Sequence, residues 1–506
     1  MPSDGARDSS DPDRTRKIVR GIGSLSVQNA LSAVLGLVFL GTLLRYLPVQ
    51  DYAAYSSIQA TLGISSVIAI FGLQQAVVKF LAPSSAGENK GWGAAKATLL
   101  LTLGFSAAVS VFLLVSSPYL SLYFMKSPGW SWLFDLGALW LFTTAVSNPL
   151  AGLLQGLRRY AQLAKVLLGS RVAQVGVAIA GLVVYQSLAI AVFSWAVYGA
   201  MISVAVLLLA WRPPRGAVAA GHYRPVLSYA APLGLAGVVA AVATNADIVV
   251  VGGYLNPDSL AVYNAAVVIS TVLGAFFLTP LVTALFAEAS YSSEKKTEVS
   301  RGLALAVRFG AIVILPASLF VTAVSPQLVS LFSGGGGGYA QGVPFLELIT
   351  AFYIFFAIET MAFSVLQGVG RVRKVLIVSV LTAMVDIVVS VSLVPFLGLE
   401  GAAVSRVAVM TIGCVASLAF LRDYLGGAMS PAFLSKALVA SLIPAAVIGL
   451  MTNEFSGRLV TLLPYTVLGV GLFLVCVRAL RLLTAEDKQF IGHLLPGRLG
   501  WVIRLL

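Results

Sequence analysis

Ten polar side chains lie within or at the ends of long apolar runs, and these are the residues that could do chemistry inside a membrane. They are Gln28, Asn29, Arg45, Arg171, Gln174, Asn245, Asp247, Glu359, Asp386 and Arg406. A charged group inside a span costs about 2.5–3.5 kcal/mol on the insertion scale, so each charge needs a reason. Charges of this kind mark substrate or ion pathways, form buried pairs, or reach back to the membrane surface.

The elements that must position these residues are membrane-spanning helices. Of 506 residues, 58% are hydrophobic and 10% are charged, whereas soluble domains carry about 25% charged residues. Runs of about 20 apolar residues, long enough to cross roughly 30 Å of hydrocarbon as helices, recur along the chain. We predict fourteen: 22–44, 53–79, 96–117, 131–155, 163–185, 188–211, 226–252, 261–287, 302–325, 343–367, 374–396, 400–420, 433–452 and 460–483.

The net charge of +13 is distributed by membrane side rather than gathered in a patch. With the N-terminus inside, 29 of the 33 Lys and Arg fall on the inner side. Three of the others, Arg45, Lys126 and Arg458, fall outside, and Arg406 lies within a span. This bias follows the positive-inside rule, so we predict a multi-pass protein of the cell (plasma) membrane with both termini cytoplasmic. A nucleic-acid partner would need a clustered basic patch and is not expected.

Two short patterns occur twice. YLPVQDYAAY at 46–55 returns as YLNPDSLAVY at 254–263, an offset of 208, and LLQGLRR at 153–159 returns as VLQGVGR at 365–371, an offset of 212. Six predicted spans separate the copies, and because six is even, both halves enter the membrane in the same direction. The predicted fold is therefore an all-α integral membrane protein, with two parallel six-helix bundles and two extra C-terminal helices.

The repeat predicts six segments of the chain. They are a cytoplasmic tail (1–20), an N-terminal bundle (21–211), a cytoplasmic linker (212–225), a C-terminal bundle (226–422), helices 13 and 14 (423–484) and a second cytoplasmic tail (485–506). In transporters built this way, the substrate path lies between the halves, which rock to expose it to each side in turn.

Features typical of enzymes are weak in this sequence. Cys414 and Cys476 lie in separate apolar runs and predict neither a disulfide nor a metal site. SGGGGGY at 333–339 lacks the Lys-Ser/Thr of a phosphate loop and is predicted to be a flexible linker in an outer loop. We therefore predict no catalytic residue, no metal and no cofactor, and we do not expect an enzyme or an ATP-driven pump.

Several longer segments carry a family resemblance. They are LLRYLPVQDYAAY, SYAAPLGLAGVVAAVATNADIVVVGGYLNPDSLAVYNAA, ILPASLFVTAVSPQLVSLFSGGGGGYAQGVPFLELI, VLQGVGRVRK and LVPFLGLEGAAVSRVAV. In this order, over roughly residues 17 to 425, the chain resembles the polysaccharide-biosynthesis flippases of the O-antigen translocase type. These belong to the multidrug/oligosaccharidyl-lipid/polysaccharide exporter superfamily.

The resemblance implies a flippase that moves lipid-linked oligosaccharide, carried on polyprenyl phosphate or pyrophosphate, from the inner to the outer leaflet. Its implied partners are that lipid, membrane lipids and, as candidates, glycan-assembly enzymes. One alternative is a cation-coupled multidrug exporter of the same superfamily, which a more acidic cavity would favour. Another is a non-transporting membrane scaffold of a glycan-assembly complex.

Under this resemblance, Arg171 is a candidate phosphate contact. Gln174 lies one turn further along the same predicted helix face. Asp386 is equivalent to Gln174 under the offset of 212, and it could be the counter-charge of Arg171 or a protonatable coupling group. The alternatives are a structural buried pair and a side chain of Arg171 that reaches the cytoplasmic surface.

The other candidates have similar alternatives. Arg406 and Asp247 could line the cavity, form an interfacial ion pair or reach the membrane surface. Glu359 could couple transport to a proton or cation, or could be a hydrogen-bonded structural acid. Asn245 and Arg45 are further cavity candidates, although Arg45 is near a helix end and could reach the surface. Gln28 and Asn29 could line the groove or form hydrogen bonds between helices.

Overall fold

The computed structural model describes residues 12–81, 89–213, 221–291, 296–335, 337–424, 431–454 and 462–482. Within these ranges the chain forms eighteen α-helices and no β-strand. In order they are α1 (Pro12–Tyr46), α2 (Val49–Ile70), α3 (Leu73–Leu81), α4 (Asn89–Met125), α5 (Ser131–Gly156), α6 (Tyr160–Tyr185), α7 (Leu188–Ala210), α8 (Tyr223–Tyr254), α9 (Pro257–Leu273), α10 (Thr279–Tyr291), α11 (Lys296–Ala323), α12 (Ser325–Ser333), α13 (Val343–Ala351), α14 (Tyr353–Gly368), α15 (Val372–Leu397), α16 (Leu399–Leu421), α17 (Pro431–Glu454) and α18 (Leu462–Ala479).

The membrane spans match the apolar runs of the sequence. In the described ranges, thirteen helical stretches are long and apolar enough to cross a membrane. A fourteenth results if Gly337–Ala351 and Tyr353–Gly368, which are bent by 46°, form one span. Each of the fourteen predicted runs coincides with one of these stretches, so the predicted all-α, multi-pass membrane fold is confirmed.

Three of the predicted continuous runs contain a break. The second run divides into α2 and α3 at Phe71 and Gly72, whose φ values are +41° and +71°. A Cβ at Gly72 would lie 2.5 Å from the carbonyl oxygen of Ala230 in α8, so this close approach requires glycine. The eighth run contains a π-helical segment, Gly274–Leu278, and the tenth run bends at Phe352.

The glycine-rich segment is more regular than predicted. Gly334 has φ +67° and ends α12 in the left-handed conformation, which glycine adopts without strain. After it, Gly337–Gly342 forms a 3-10 helix that leads into α13. These described residues therefore form helical turns, and the prediction of a flexible linker is wrong for them.

The first repeated pattern has the same backbone geometry in both copies. In each copy a helix ends at the first Tyr, and the next helix starts three residues later. The hydrogen bonds Leu47 N to Leu43 O and Tyr52 N to Pro48 O recur, 208 residues on, as Leu255 N to Val251 O and Leu260 N to Asn256 O. The repeated letters therefore encode a repeated helix–turn–helix.

The second repeated pattern also folds the same way twice. Three backbone bonds close the turn after α5: Leu157 N to Leu153 O, Arg158 N to Gln155 O, and Arg159 N to Leu154 O. The three equivalent bonds close the turn after α14, each shifted by 212 residues. The residue with positive φ is Arg158 in the first copy, at +56°, and Gly370 in the second, at +77°.

Contacts divide the chain into two compact units, of which unit 1 comprises Met1–Leu47 and Ser57–Ala241. Its helices pack around α5, which contacts α3, α4 and α7, while α6 contacts α1 and α7. Gly199 of α7 lies against the backbone of α5, where a Cβ would be 2.5 Å from the carbonyl carbon of Thr143. This close α5–α7 packing forms the base on which Arg171 is placed.

Unit 2 comprises Pro48–Ser56 and Val242–Leu506. Here α15 packs on α16, with Gly401 against the backbone of Leu393, and α14 packs on α10, α11 and α16. The helices α17 and α18 pack on each other, and α17 packs on α11 through a core that includes Leu315 and Ala437.

The six predicted segments stay predictions. Each of them has residues outside the described ranges, among them 1–11 of the first tail, 214–220 of the linker and the whole second tail at 485–506. The first helix begins at Pro12, ten residues before the predicted apolar run.

Candidate functional site: two polar clusters within the membrane helices

Arg171 lies near the middle of α6 and begins a chain of hydrogen bonds within unit 1. Its Nη1 donates to Oε1 of Gln174 at 2.8 Å, so the two side chains do share one helix face. Nε2 of Gln174 donates to Oγ of Ser194 on α7 at 3.0 Å, and that hydroxyl donates to the Ala191 carbonyl at 2.7 Å. Gln174 and Ser194 are fully buried, so this bond chain is sheltered from solvent.

An aromatic platform supports the guanidinium of Arg171. Its central carbon lies 4.6 Å from the ring centroid of Trp195, within the range of a cation–π contact. Trp195 stacks in parallel on Trp140 of α5, with ring centroids 5.0 Å apart. On α1, a Cβ at Gly36 would lie 3.3 Å from Nη2 of Arg171, so a glycine gives the guanidinium its space.

These four residues, Arg171, Gln174, Ser194 and Trp195, are called the arginine cluster below. Its contacts are directed toward α7 inside the bundle, and they do not fit a side chain that extends to the membrane surface. A half-buried guanidinium with an ordered amide and an aromatic face is suited to hold an anionic oxygen, since its planar fork can donate several hydrogen bonds.

A second cluster lies in unit 2 and is built on an ion pair. Nε of Arg406 on α16 lies 2.7 Å from Oδ2 of Asp247 on α8, and its Nη2 donates to Oδ1 at 2.8 Å. The hydroxyl of Tyr263 on α9 donates to Oδ2 of Asp247, and the Thr244 carbonyl accepts from Nη2 of Arg406 at 3.2 Å. The structure thus shows Arg406 and Asp247 as an ion pair, and their role in a substrate cavity stays a prediction.

Asp386 of α15 adds a second buried acid to this ion pair. Its Oδ2 accepts the backbone N–H of Asp247 at 3.2 Å. Its Oδ1 accepts the hydroxyl of Ser405 at 2.9 Å and that of Ser390 at 3.2 Å. Asp247 and Asp386 are 1% and 2% exposed, so each carboxylate depends on these bonds in place of water.

Asp247, Tyr263, Asp386, Ser405 and Arg406 are called the acidic cluster below. It joins α8, α9, α15 and α16 and brings two carboxylates to one guanidinium. In the bidentate pair, the positive charge of Arg406 neutralises the negative charge of Asp247. Hydroxyl and amide donors serve the second acid, Asp386, so both carboxylates of the cluster have hydrogen-bond partners.

Sequence comparison is informative at this point. A family model for polysaccharide biosynthesis proteins matches residues 42–335, more than half of the chain. The chain belongs to the polysaccharide biosynthesis protein family. A second model, for the lipid II flippase MurJ, matches residues 226–468 of this polysaccharide biosynthesis protein. No match was found among curated protein sequences.

Solved structures with the same fold are transporters. The lipid II flippase MurJ in an inward closed conformation has a TM-score of 0.73 and 15% identity, over 90% of this chain and 99% of that one. An inward-facing multidrug resistance transporter of the MATE family and MOP superfamily has a TM-score of 0.60 and 15% identity, over 81% and 98%.

A third solved structure has the same fold with a different pocket. It is a MOP superfamily transporter from Pyrococcus furiosus whose description reports reverse polarity of the binding pocket. Its TM-score is 0.59 and its identity 15%, over 81% of this chain and 96% of that one. At such identities the likeness of the polysaccharide biosynthesis protein to these transporters shows a common fold.

The remaining predicted residues lie outside both clusters as defined. Gln28 is buried and its Nε2 donates to Ser32 at 2.9 Å, while its Oε1 has no partner among the described residues. Asn29 and Arg45 of α1 are exposed, and Asn245 of α8 is half-buried. Glu359 of α14 is buried against α16.

Sequence analysis missed several residues of the two clusters, and it missed Ser390, which bonds to Asp386. Ser390 follows Asp386 by four residues, and Ser405 precedes Arg406, so the spacing of polar residues along each helix could have identified both. Tyr263 was noted as part of a repeat but not as a partner of Asp247. Trp195 gave no signal, because an aromatic residue in a membrane helix is ordinary.

Proposed function

We propose that this protein translocates lipid-linked oligosaccharide, on a polyprenyl phosphate or pyrophosphate carrier, from the inner to the outer leaflet for cell-surface polysaccharide synthesis. The proposal places the chain in the cell membrane with both termini cytoplasmic, as the positive-inside bias favours. It also makes glycan-assembly enzymes candidate partners. Translocation would proceed by alternating access, as in transporters with parallel repeats.

The observation that carries the proposal is the placement of Arg171 in the middle of a membrane helix. A phosphorylated head group cannot cross hydrocarbon unaided, since an isolated ion there costs tens of kcal/mol in the Born limit. The guanidinium of Arg171 is oriented by Gln174 and supported by Trp195, so it is already in place when a phosphate arrives. An oriented donor loses less entropy on binding than a free side chain does.

Unit 2 by itself contains an apolar cavity whose lining is suited to an isoprenoid chain. It has a volume of about 380 Å³ and lies among α9, the π-helical segment, α11, α17 and α18. Phe277, Pro316, Phe320, Pro444 and Phe473 are among the residues that line it. Burial of apolar groups contributes about 0.8 kcal/mol per CH₂, so a cavity of this kind would hold part of a polyprenyl chain. This gives α17 and α18 a role beyond packing.

The test measures where the lipid-linked oligosaccharide lies in cells that lack the protein. Intact cells are treated with a membrane-impermeant reagent that modifies the sugar, and the modified and total lipid are compared. We expect the lipid to accumulate on the cytoplasmic side without the protein, and wild type to restore outer-leaflet delivery. Arg171→Ala should fail to restore it, while Arg212→Ala, at an exposed position between α7 and α8, should restore it fully.

The same cells distinguish this function from multidrug export, which a solved structure with the same fold carries out. Normal outer-leaflet delivery in the deletion strain, with no second flippase present, would contradict the proposal. If the deletion strain instead accumulated amphipathic cations such as ethidium, the multidrug exporter would be the better assignment. Outer-leaflet delivery restored by Arg171→Ala would remove the phosphate role of Arg171 while leaving the flippase in place.

A further inference from the structure

Glu359 of α14 is a buried acid outside the acidic cluster. It is 7% exposed, and within the described part of the chain its carboxylate makes no hydrogen bond or ion pair. Buried carboxylates in proteins are ordinarily paired or hydrogen-bonded, so this group needs an explanation. The question is which partner neutralises it.

The helix that faces Glu359 offers it backbone only. A Cβ built at Gly413 of α16 would collide with the carboxylate of Glu359, which therefore fills the space that a side chain at 413 would take. Ser417 lies one turn further along α16, on the same side as Gly413. Ser417 is 0% exposed, and its Oγ has no hydrogen-bond partner among the described residues. Two unpartnered polar side chains thus occupy the interface of α14 and α16.

The titratable group that faces Glu359 from α16 is Cys414, whose thiol interacts electrostatically with it. Arg406, on the same helix, is engaged with Asp247. The titratable residues of α10 are Glu288 and Tyr291, whose side chains lie outside the described part of the chain. On the opposite side of α14, Met361 faces Gly310 of α11.

On the other neighbouring helices, Arg301 and Arg373 are exposed, and two further cations have partners elsewhere. Arg308 of α11 stacks on Phe433 of α17 at 4.8 Å, and Lys374 of α15 donates to the Phe420 carbonyl at 3.4 Å. Asp386 of α15 belongs to the acidic cluster. Glu347 is the acid of α13, and it is half-buried. No described cation is therefore paired with Glu359.

The chemistry favours a proton over a metal ion as the missing partner. An unpaired ionised carboxylate in an apolar interior is so unfavourable that the group neutralises by protonation. A metal cation such as Ca²⁺ requires roughly six to eight oxygen ligands, and a smaller ion still requires several. The described residues contain no group of three or more His, Cys, Asp and Glu side chains that could hold a metal.

We propose that Glu359 is a membrane-buried proton site, and that proton binding and release there drives the transport cycle of this protein. Protonated, Glu359 is neutral and the α14–α16 interface can stay closed around it. Ionised, it requires water, and so favours a state in which that interface is hydrated. The coupling to transport rests on the proposed flippase function, whereas the proton site itself does not.

The first measurement detects the proton directly on purified protein. Infrared difference spectra are recorded over a pH titration, and the C=O stretch of a protonated carboxyl group is followed. We expect a band in wild type that is absent in Glu359→Gln and retained in the control Glu400→Gln, whose acid is exposed at the start of α16. The same band in Glu359→Gln would overturn the proposal.

A second variant guards against misfolding of the first. In Gly413→Ala, the added methyl group displaces the carboxylate of Glu359, so the band should shift in frequency or in its titration midpoint. A band unchanged in both frequency and midpoint would contradict the assignment to this interface.

The second measurement tests coupling in proteoliposomes that contain a fluorescent lipid-linked oligosaccharide. A pH step of one unit changes proton activity about tenfold, and we expect it to change the wild-type flipping rate by up to that factor. The rate of Glu359→Gln should not respond to the step, whereas Glu400→Gln should respond like wild type. Flipping by Glu359→Gln that still follows the gradient would refute coupling. A wild type that flips nothing would contradict the flippase function and leave the infrared result standing.

Discussion

Arg406 and Asp247 form a bidentate ion pair between α16 and α8, across 159 positions of the sequence and with Asp247 almost completely buried. Within unit 2 this pair fixes the relative position of two membrane helices, and Tyr263 and Asp386 add bonds from α9 and α15. The acidic cluster thus has a structural role that can be tested apart from any role in transport.

Removal of the guanidinium should destabilise the protein. Arg406→Met leaves Asp247 charged and buried without its cation. Breaking a buried ion pair in this way lowers the free energy of unfolding by about 3–5 kcal/mol. The double variant Arg406→Met with Asp247→Asn should recover much of that loss, because no uncompensated charge remains. Thermal unfolding in detergent measures both. Arg212→Met, exposed and outside the helices, serves as the control, and an Arg406→Met variant as stable as wild type would contradict the prediction.

Gln174 should position Arg171, and two substitutions separate this role from general stability. Gln174→Leu removes the partner of Nη1 and leaves the Ser194 hydroxyl without its donor, which should cost about 1–3 kcal/mol. Gln174→Glu can retain the bond to Arg171 as an ion pair, but it neutralises the guanidinium toward a phosphate. We therefore expect Gln174→Glu to keep more stability than Gln174→Leu and yet lose flipping.

The check compares unfolding midpoints with flipping rates of the same purified variants in proteoliposomes. Flipping by Gln174→Glu at the wild-type rate would show that the charge of Arg171 does not contact the substrate. If the flipping rate of Gln174→Leu fell only in proportion to the amount of folded protein, Gln174 would have a structural role only.

The two equivalent turns after α5 and α14 allow a reciprocal substitution. Arg158 is exposed and has φ +56°, a conformation that costs a non-glycine residue about 1–2 kcal/mol. Glycine removes this cost, but it also increases the entropy of the unfolded chain, which lowers the free energy of unfolding by about 0.4–1 kcal/mol. Arg158→Gly should therefore stabilise the protein by about 0.5–1 kcal/mol.

Gly370 is the matched position, with φ +77° and no atom within 4 Å of a built Cβ. Gly370→Ala should destabilise the protein by a similar amount, since the same two terms, the cost of positive φ and the unfolded-state entropy, change in the opposite direction. Unfolding midpoints of the two variants should move in opposite directions. If both moved the same way, the two turns would not be energetically equivalent despite their common hydrogen bonds.

The sequence predicted those parts of the molecule that depend on local physics. The fourteen spans follow from the thickness of the bilayer, and the side chains of Arg171 and Gln174 meet because residues three apart share a helix face. The ion pair of Arg406 and Asp247 joins separate helices, and a single sequence gives no distance between them. Its two members were predicted as candidates, and their pairing was one of three alternatives.

The helix breaks were beyond sequence analysis for the same reason. The break at Phe71 and Gly72 depends on the close approach of α8 at Ala230, and the bend at Phe352 separates two stretches that are both apolar. Hydropathy alone predicts one continuous run in each case. Glu359 was predicted as a coupling group or as a hydrogen-bonded structural acid, and both stay predictions. The bare backbone opposite it at Gly413 is a tertiary fact that a single sequence does not contain.

The cavity among α9, α11, α17 and α18 should affect substrates through their lipid tails. Ala445→Trp adds a large side chain to the α17 wall of the cavity. Excluding about two methylenes of a polyprenyl chain would cost about 1.6 kcal/mol, slightly more than tenfold in Kd. We expect this loss for a long-chain lipid-linked oligosaccharide in proteoliposomes, and a smaller loss for an analogue with a short lipid. Leu450→Trp, at an α17 position that is 72% exposed, should bind both lipids as wild type does. Equal affinity of Ala445→Trp and wild type for the long-chain lipid would show that the tail binds elsewhere, and would leave α17 and α18 with a packing role alone.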